Sequence, residues 1–420
     1  MPSSALLPPC DAGLPSSRLL ARRGLAGLAL AALLGLSACA PQYPGYGPVG
    51  IAPPIGIAPG APAQRAALLL PLSGPQAQLG QAMMNAGTLA LFDEAPTGVE
   101  FAPRDTGGTP AGAAAAARAA IAEGARALVG PLTSAEAAAV APVARSAGVP
   151  LLAFTNDEQR AGQGVWVLGT TPQQQVRRLV AAAARDGAQR FGLAAQNTEF
   201  GRALAAALRG ATADLGLPQP RLALHPATAE PGMAAGGARA QMRDVDALLI
   251  GESGERARRF AAAFAGLSEA MPPPAADPAA PDAPIPDTAE PPPGPRLLGT
   301  TLWLNDGALR GEPSLGGAWF PGPDARARAR FESRYREAFQ ESPPRVAAAA
   351  YDAAALAARA LRSGSSVDSL TASQSFSGAE GPVRLLPGGQ TLRGLAIYAL
   401  SPSGDPLLLE PAADPAGPGF

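Results

Sequence analysis

Lysine is missing from this chain: all 33 basic residues are arginine, set against 34 acids for a formal net charge of −1. Histidine occurs once, as His225, and cysteine twice, as Cys10 and Cys39. Each scarcity excludes chemistry. Without lysine there is no Walker A loop and no Ser-x-x-Lys nucleophile pair. One histidine and two cysteines give too few ligands for a His/Cys zinc site. A Ser-His-Asp triad would rest on His225 alone, beside Pro226 in an expected strand-to-loop turn. Gly-x-Ser-x-Gly does not occur. No basic cluster has aromatic residues woven into it, so nucleic acid is not an expected partner. Adjacent acids such as Asp93 and Glu94 point to different sides of a helix and read as a solvated face, leaving a carboxylate-only hydrolase as a formal alternative. The expectation is a non-enzyme without cofactor or metal.

The N-terminus carries an address. Arg18, Arg22 and Arg23 precede a run of Leu, Ala and Gly from Gly24 to Gly35, shorter than the ~20 residues a membrane-spanning helix needs. Leu36-Ser37-Ala38-Cys39 then resembles the bacterial lipobox at every position. Residues 1–38 are therefore expected to be a lipoprotein signal peptide, with cleavage before Cys39 and lipid attached to its thiol. Cys10 lies in the discarded piece, so no disulfide framework is expected. Stable anchoring takes more than one acyl chain, and a processed lipoprotein supplies three. Ala40 follows the cysteine, where an Asp would favour the inner membrane, so the expected location is the outer membrane, facing the periplasm.

Residues 39–64 form a Pro/Gly-rich tether that cannot bury a core. Fully extended, it would reach ~75 Å. Its Gly45-x-Gly47-x-x-Gly50 is a dinucleotide fingerprint in name only: no strand precedes it and Pro48 sits inside it.

From Arg65 strands and helices alternate. Strands are expected at 66–70, 99–103, 127–129 and 150–154, with helices at 76–92, 110–123 and 134–146, the last opened by Ser134 as N-cap and closed by Gly148. A second set follows: helices at 172–186, 199–215, 234–242 and 255–267, and strands at 190–195, 221–224, 246–250 and 296–298. Residues 268–295, rich in Pro and Ala and carrying Glu269, Asp277, Asp282, Asp287 and Glu290 without a base, read as a disordered loop. Helices at 324–339 and 346–362 precede a hairpin of 382–385 with 395–400, and 402–420 reads as a flexible tail. The fold expected is α/β with two lobes, each a parallel sheet flanked by helices. Lobe 1 would hold 65–169 and 303–363, and lobe 2 172–299 and 376–401. Three crossings are placed near 169–172, 299–303 and 363–375.

The order of short motifs resembles a family. Ala67-Leu-Leu-Leu-Pro-Leu-Ser-Gly74, Gly80-Gln81, Asn85-Ala-Gly87, Arg104-Asp-Thr-Gly-Gly108, Ala127-Leu-Val-Gly-Pro131, Gly148-Val-Pro150, Asn197-Thr-Glu-Phe-Gly-Arg202 and Ala350-Tyr-Asp-Ala353 resemble the type I periplasmic binding proteins of the leucine-receptor group. Together with the lipobox, they look most like the lipoprotein activators of penicillin-binding proteins. The better-known members carry a helical-repeat domain ahead of this fold, where this chain has only its tether.

The resemblance implies a cleft between the lobes, at the carboxyl ends of the strands, lined by Ser73, Thr133, Ser134, Thr155, Asn156 and Phe200, with Thr301 and Trp303 at the second crossing. Ser134 reads either as an anion site at a helix N-terminus or as an ordinary N-cap. Amino-acid receptors of this group carry an acid just after the strand at 296–298 to hold the ligand's ammonium. Here the chain reads Gly299-Thr-Thr-Leu-Trp303, and losing that charge would cost a buried ammonium several kcal/mol. The function implied is activation of a class A penicillin-binding protein, the peptidoglycan synthase, with the membrane engaged through the lipid anchor. The alternatives are a substrate-binding lipoprotein of an ABC importer, with an amino acid, amide or similar small molecule in the cleft, and an envelope structural protein without a ligand.

Overall fold

The computed structural model describes residues 64–94, 97–269, 294–362, 370–371 and 375–415. The signal peptide, Cys39, the tether, most of the 268–295 loop and the last residues of the tail lie outside them.

Strand β1 (Gln64–Leu70) is followed by α1 (Ala77–Glu94), β2 (Val99–Asp105), α2 (Pro110–Ala122), β3 (Ala127–Val129), α3 (Ser134–Ala147), β4 (Leu151–Ala153) and β5 (Val165–Val167). The five strands make one parallel sheet in the order β2-β1-β3-β4-β5. The Leu68-Leu69-Leu70 run is apolar without alternation because both faces are covered. Leu68 and Leu70 pack in one core with α1, and Leu69 packs in the other with α2 and α3.

The second lobe opens with α4 (Pro172–Arg185). It continues through β6 (Phe191–Gln196), α5 (Glu199–Asp214), β7 (Arg221–His225), α6 (Pro231–Gln241), β8 (Ala247–Ile250), α7 (Gly254–Glu269), β9 (Arg296–Leu298) and, after three short 3₁₀ turns, β10 (Trp319–Gly322). The chain then forms α8 (Ala325–Phe339), α9 (Ala347–Arg362), β11 (Phe376–Gly378), β12 (Gly381–Leu385), β13 (Thr391–Arg393), β14 (Ala396–Leu400) and β15 (Pro406–Glu410). The second sheet runs β15-β14-β10-β9-β8-β6-β7; β14 runs antiparallel to both its neighbours, β10 and β15, and the other pairings are parallel. The architecture is thus the expected two-lobed α/β arrangement of parallel sheets flanked by helices.

The chain passes between the lobes at 167–172, 322–325 and 393–396. The second and third passages lie later than the sequence suggests. Residues 303–322 stay with lobe 2, where Trp303 and Phe320 pack in its core. Strand β10 escapes a sequence reading because Pro321 interrupts it. The proline is tolerated because β9 pairs with β10 only at Leu298↔Trp319, so Pro321 lies past the end of that ladder. The expected hairpin of 382–385 with 395–400 does not form. β12 pairs with β11 and β13, a small sheet whose Phe376, Val383 and Leu385 pack on lobe 1, while β14 crosses to the second sheet. Part of the supposed tail is β15. β5, which pairs with β4, was too short a run to distinguish by period.

The second lobe's sheet is pinned at its start by Asp246. Its carboxylate accepts from the N–H of Gln189 (3.0 Å) and of Arg190 (2.8 Å) and from the Arg190 guanidinium (2.6 Å). The Arg190 hydrogen bond is the chief cause of a carboxyl value lowered to about 2, against a smaller opposing effect of burial. A depressed carboxylate contributes stability above its unfolded value of about 3.9, and that stability is lost as pH falls through the folded value. With Arg190 half exposed and solvent-screened, the contribution is about 1 kcal/mol. Thermal unfolding between pH 2 and 5 should therefore show a steeper loss for wild type than for Asp246→Asn, whose curve lies lower at pH 5 and converges with it near pH 2. Parallel curves would contradict the assignment.

Candidate functional site

Between the lobes lies a cleft of about 1310 Å³, walled by the first turn of α3, the loop after β4, the first turns of α5, the turn after β9 and the segment leading into α9. These elements end here for local reasons. Helix α3 starts at a capping box. The N-cap is Thr133, one residue before the expected Ser134, because Thr133 Oγ1 accepts from the Glu136 N–H (3.2 Å) while Glu136 Oε2 accepts from the Thr133 N–H (3.0 Å). Helix α5 starts close against the end of β6. A Cβ on Gly201 would lie 1.9 Å from the Gln196 carbonyl oxygen, so only glycine permits this approach.

Of the expected residues, Thr133, Ser134, Thr155, Asn156, Phe200 and Thr301 line the cleft together. Ser73 and Trp303 are placed elsewhere. The backbone N–H of Ser73 donates to Asp105 Oδ1 (3.2 Å), closing the β1–α1 loop onto the end of β2. Trp303 is 1% exposed in the core of lobe 2, its indole N–H donating 2.9 Å to the Glu252 carbonyl, over a glycine at 299 where a Cβ would fall 2.1 Å from the ring.

The two hydroxyls at the head of α3 are already engaged. The Ser134 hydroxyl donates to Asp157 Oδ2 (2.5 Å), which also accepts from Arg160 Nε (2.9 Å). Burial pushes the Asp157 carboxyl up, but the Ser134 and Arg160 hydrogen bonds prevail and hold it below the usual range. The Thr133 hydroxyl donates 2.8 Å to the buried Glu136. Two of the chain's own carboxylates thus sit where the helix dipole favours an anion. In the turn after β9, Thr300 is buried and its hydroxyl accepts from the Leu302 N–H (3.3 Å), a cap where an amino-acid receptor would carry its acid.

Among the charged wall residues that sequence reasoning missed are Glu199, Arg202 and Arg345. The first two stand inside the quoted Asn197–Arg202 motif, which was the available signal. Arg345 follows Pro343-Pro344 with no pattern to mark it. The lone histidine is away from the cleft lining: His225 Nε2 lies 2.8 Å from Glu252 Oε1, and Glu252 Oε2 accepts from Arg256 Nε (3.1 Å), a buried tie between β7 and α7. Among the described residues, no group of three or more His, Cys, Asp or Glu side chains could hold a metal ion, and no helix is long and apolar enough to cross a membrane.

A cleft between two α/β lobes joined by three passages has a family counterpart. The sequence profile of the family described as periplasmic binding protein matches residues 63–405. The chain belongs to the periplasmic binding protein family. Among solved structures of similar fold, a branched-chain amino acid ABC transporter protein from Rhodospirillum rubrum is 18% identical with a TM-score of 0.67, the match covering 83% of this chain and 100% of that one. Full-length LpoA from Haemophilus influenzae is 14% identical with a TM-score of 0.63, the match covering 83% of this chain and 59% of that one. The leucine-binding protein from Thermotoga maritima is 17% identical with a TM-score of 0.55, covering 84% and 99%. At these identities the likeness speaks for the fold. A search of curated protein sequences gave no match.

Proposed function

We propose that this member of the family is a periplasm-facing, outer-membrane lipoprotein, anchored through Cys39, that binds a class A penicillin-binding protein and stimulates its peptidoglycan synthesis. The observation that carries the reading is the occupied head of the cleft. The two hydroxyls at the head of α3 that could take a ligand carboxylate, those of Ser134 and Thr133, serve Asp157 and Glu136 instead, and threonines stand where a receptor's acid would hold an ammonium. An amino acid whose carboxylate took the Ser134 hydroxyl would have to displace Asp157 from it, which keeps Arg160 as its counter-charge but loses one charge-assisted hydrogen bond, roughly 1.5–3 kcal/mol. Contact regulation has no such requirement. It needs only a bias in affinity towards the partner's active state, and a tenfold bias is ~1.4 kcal/mol. The lipobox, the tether's reach and the motif order support the same reading, and the fold is one that full-length LpoA also carries.

The second reading, a solute-binding lipoprotein of an importer, is favoured by the size of the cleft and by the solute-binding proteins that share the fold. Calorimetry separates them. Titrating the compact unit of residues 59–420 with the common amino acids and with benzoate should give no saturable heat at micromolar concentrations. Micromolar binding of any one of them would favour the importer.

A further inference from the structure

We propose that Arg345 is a latch that holds the two lobes at one angle. It stands in the segment between α8 and α9, directly after Pro343 and Pro344, whose rings fix φ and stiffen its approach. The residues that follow, Val346 and Ala347, pack into the core of lobe 1. Its guanidinium donates across the cleft, 2.8 Å from Nη2 to the carbonyl of Thr301. Thr301 belongs to lobe 2 and is braced from within it. Its N–H donates 3.0 Å to Oε1 of Gln175, a 3% exposed side chain on α4, and two residues on Trp303 is fixed in the lobe's core. One charge-assisted hydrogen bond therefore runs from a stiff point on one lobe to a braced turn on the other.

Neither residue lies in any of the three passages. Other ties join the lobes beside the first passage: Gln174 Nε2 donates 2.5 Å to the Thr391 carbonyl, and Glu158 Oε1 accepts from the Gln173 N–H (3.2 Å). Arg345 and Thr301 both line the cleft, so whatever enters it meets this bond. An occupant that competes for the guanidinium, by offering a carboxylate or a carbonyl, would free the lobes to rotate about the passages. Hinge rotation of packed lobes is a change between discrete arrangements, so the bond's state sets the shape a partner would meet. The assignment rests on geometry alone and stands whether the partner is a synthase or a permease.

The test is a distance distribution between spin labels on Ser146→Cys, at the far end of α3, and Arg209→Cys on α5, in the full chain with Cys10 and Cys39 replaced by Ser. Arg345→Gln should shift the mean by more than about 2 Å or visibly broaden the distribution. Arg202→Gln lines the same cleft but bonds only to Asn197 in its own lobe, and it should reproduce the wild-type distribution. An Arg345→Gln distribution that superimposes on wild type would overturn the latch, as would an equal shift in Arg202→Gln.

Discussion

Arg393→Met is expected to lower stability by about 3–5 kcal/mol, because it strands a buried carboxylate. Asp352 and Arg393 are 0% and 1% exposed and meet at 2.9 Å. Asp352 also accepts from the Ala379 N–H (2.6 Å), and Arg393 donates to the Leu168 carbonyl (2.9 Å). Gly378 makes the room: a Cβ there would lie 2.5 Å from Asp352 Oδ1. The pair joins α9, the small sheet on lobe 1 and the ends of the first and third passages. Removing the cation leaves Asp352 without solvent or counter-charge. Removing both charges, in Asp352→Leu with Arg393→Met, avoids that penalty and should recover most of the loss. Urea unfolding of the two singles and the double checks this. A single variant within about 1 kcal/mol of wild type would show that the pair is not dry.

Trp303→Ala is the second large effect. The indole fills the core of lobe 2 with Phe320, Leu309 and Leu315, and deleting a buried tryptophan side chain costs about 3–5 kcal/mol. Trp303→Phe keeps most of the volume but leaves the Glu252 carbonyl without its donor, for a smaller loss of roughly 1–3 kcal/mol. Because the ring is outside the cleft lining, partner affinity in Trp303→Phe should stay within about twofold, well under 1 kcal/mol. An unchanged melting point with lost partner binding would return Trp303 to the site.

The contrast between these residues shows what the sequence discloses. Runs such as Leu68-Leu69-Leu70 announce buried parallel strands, and turn residues such as Gly148, a left-handed C-cap at φ 64°, mark where helices stop. Both depend on near neighbours, and the α/β alternation was legible for that reason. The exchange of segments between lobes depends on distant ones. Pro321 hid β10, and nothing local in Ala396–Leu400 says that it pairs with Trp319–Gly322 rather than with the strand before it. At the cleft, the resemblance placed Thr133, Ser134, Thr155, Asn156, Phe200 and Thr301 on the wall they line, and misplaced Ser73 although it stands inside a quoted motif. Trp303 was misplaced because two residues of a 3₁₀ turn separate a cleft wall from a core. Arg345 was invisible because its meaning lies in a carbonyl 44 residues away.

The proposed action on a synthase by contact is read out by the rate of glycan-chain formation by a class A penicillin-binding protein of the same cell in reconstituted membranes. With the lipidated protein present the rate should rise, and the gain should saturate as one partner is titrated with the other. An unchanged rate in the presence of saturating protein would contradict the account.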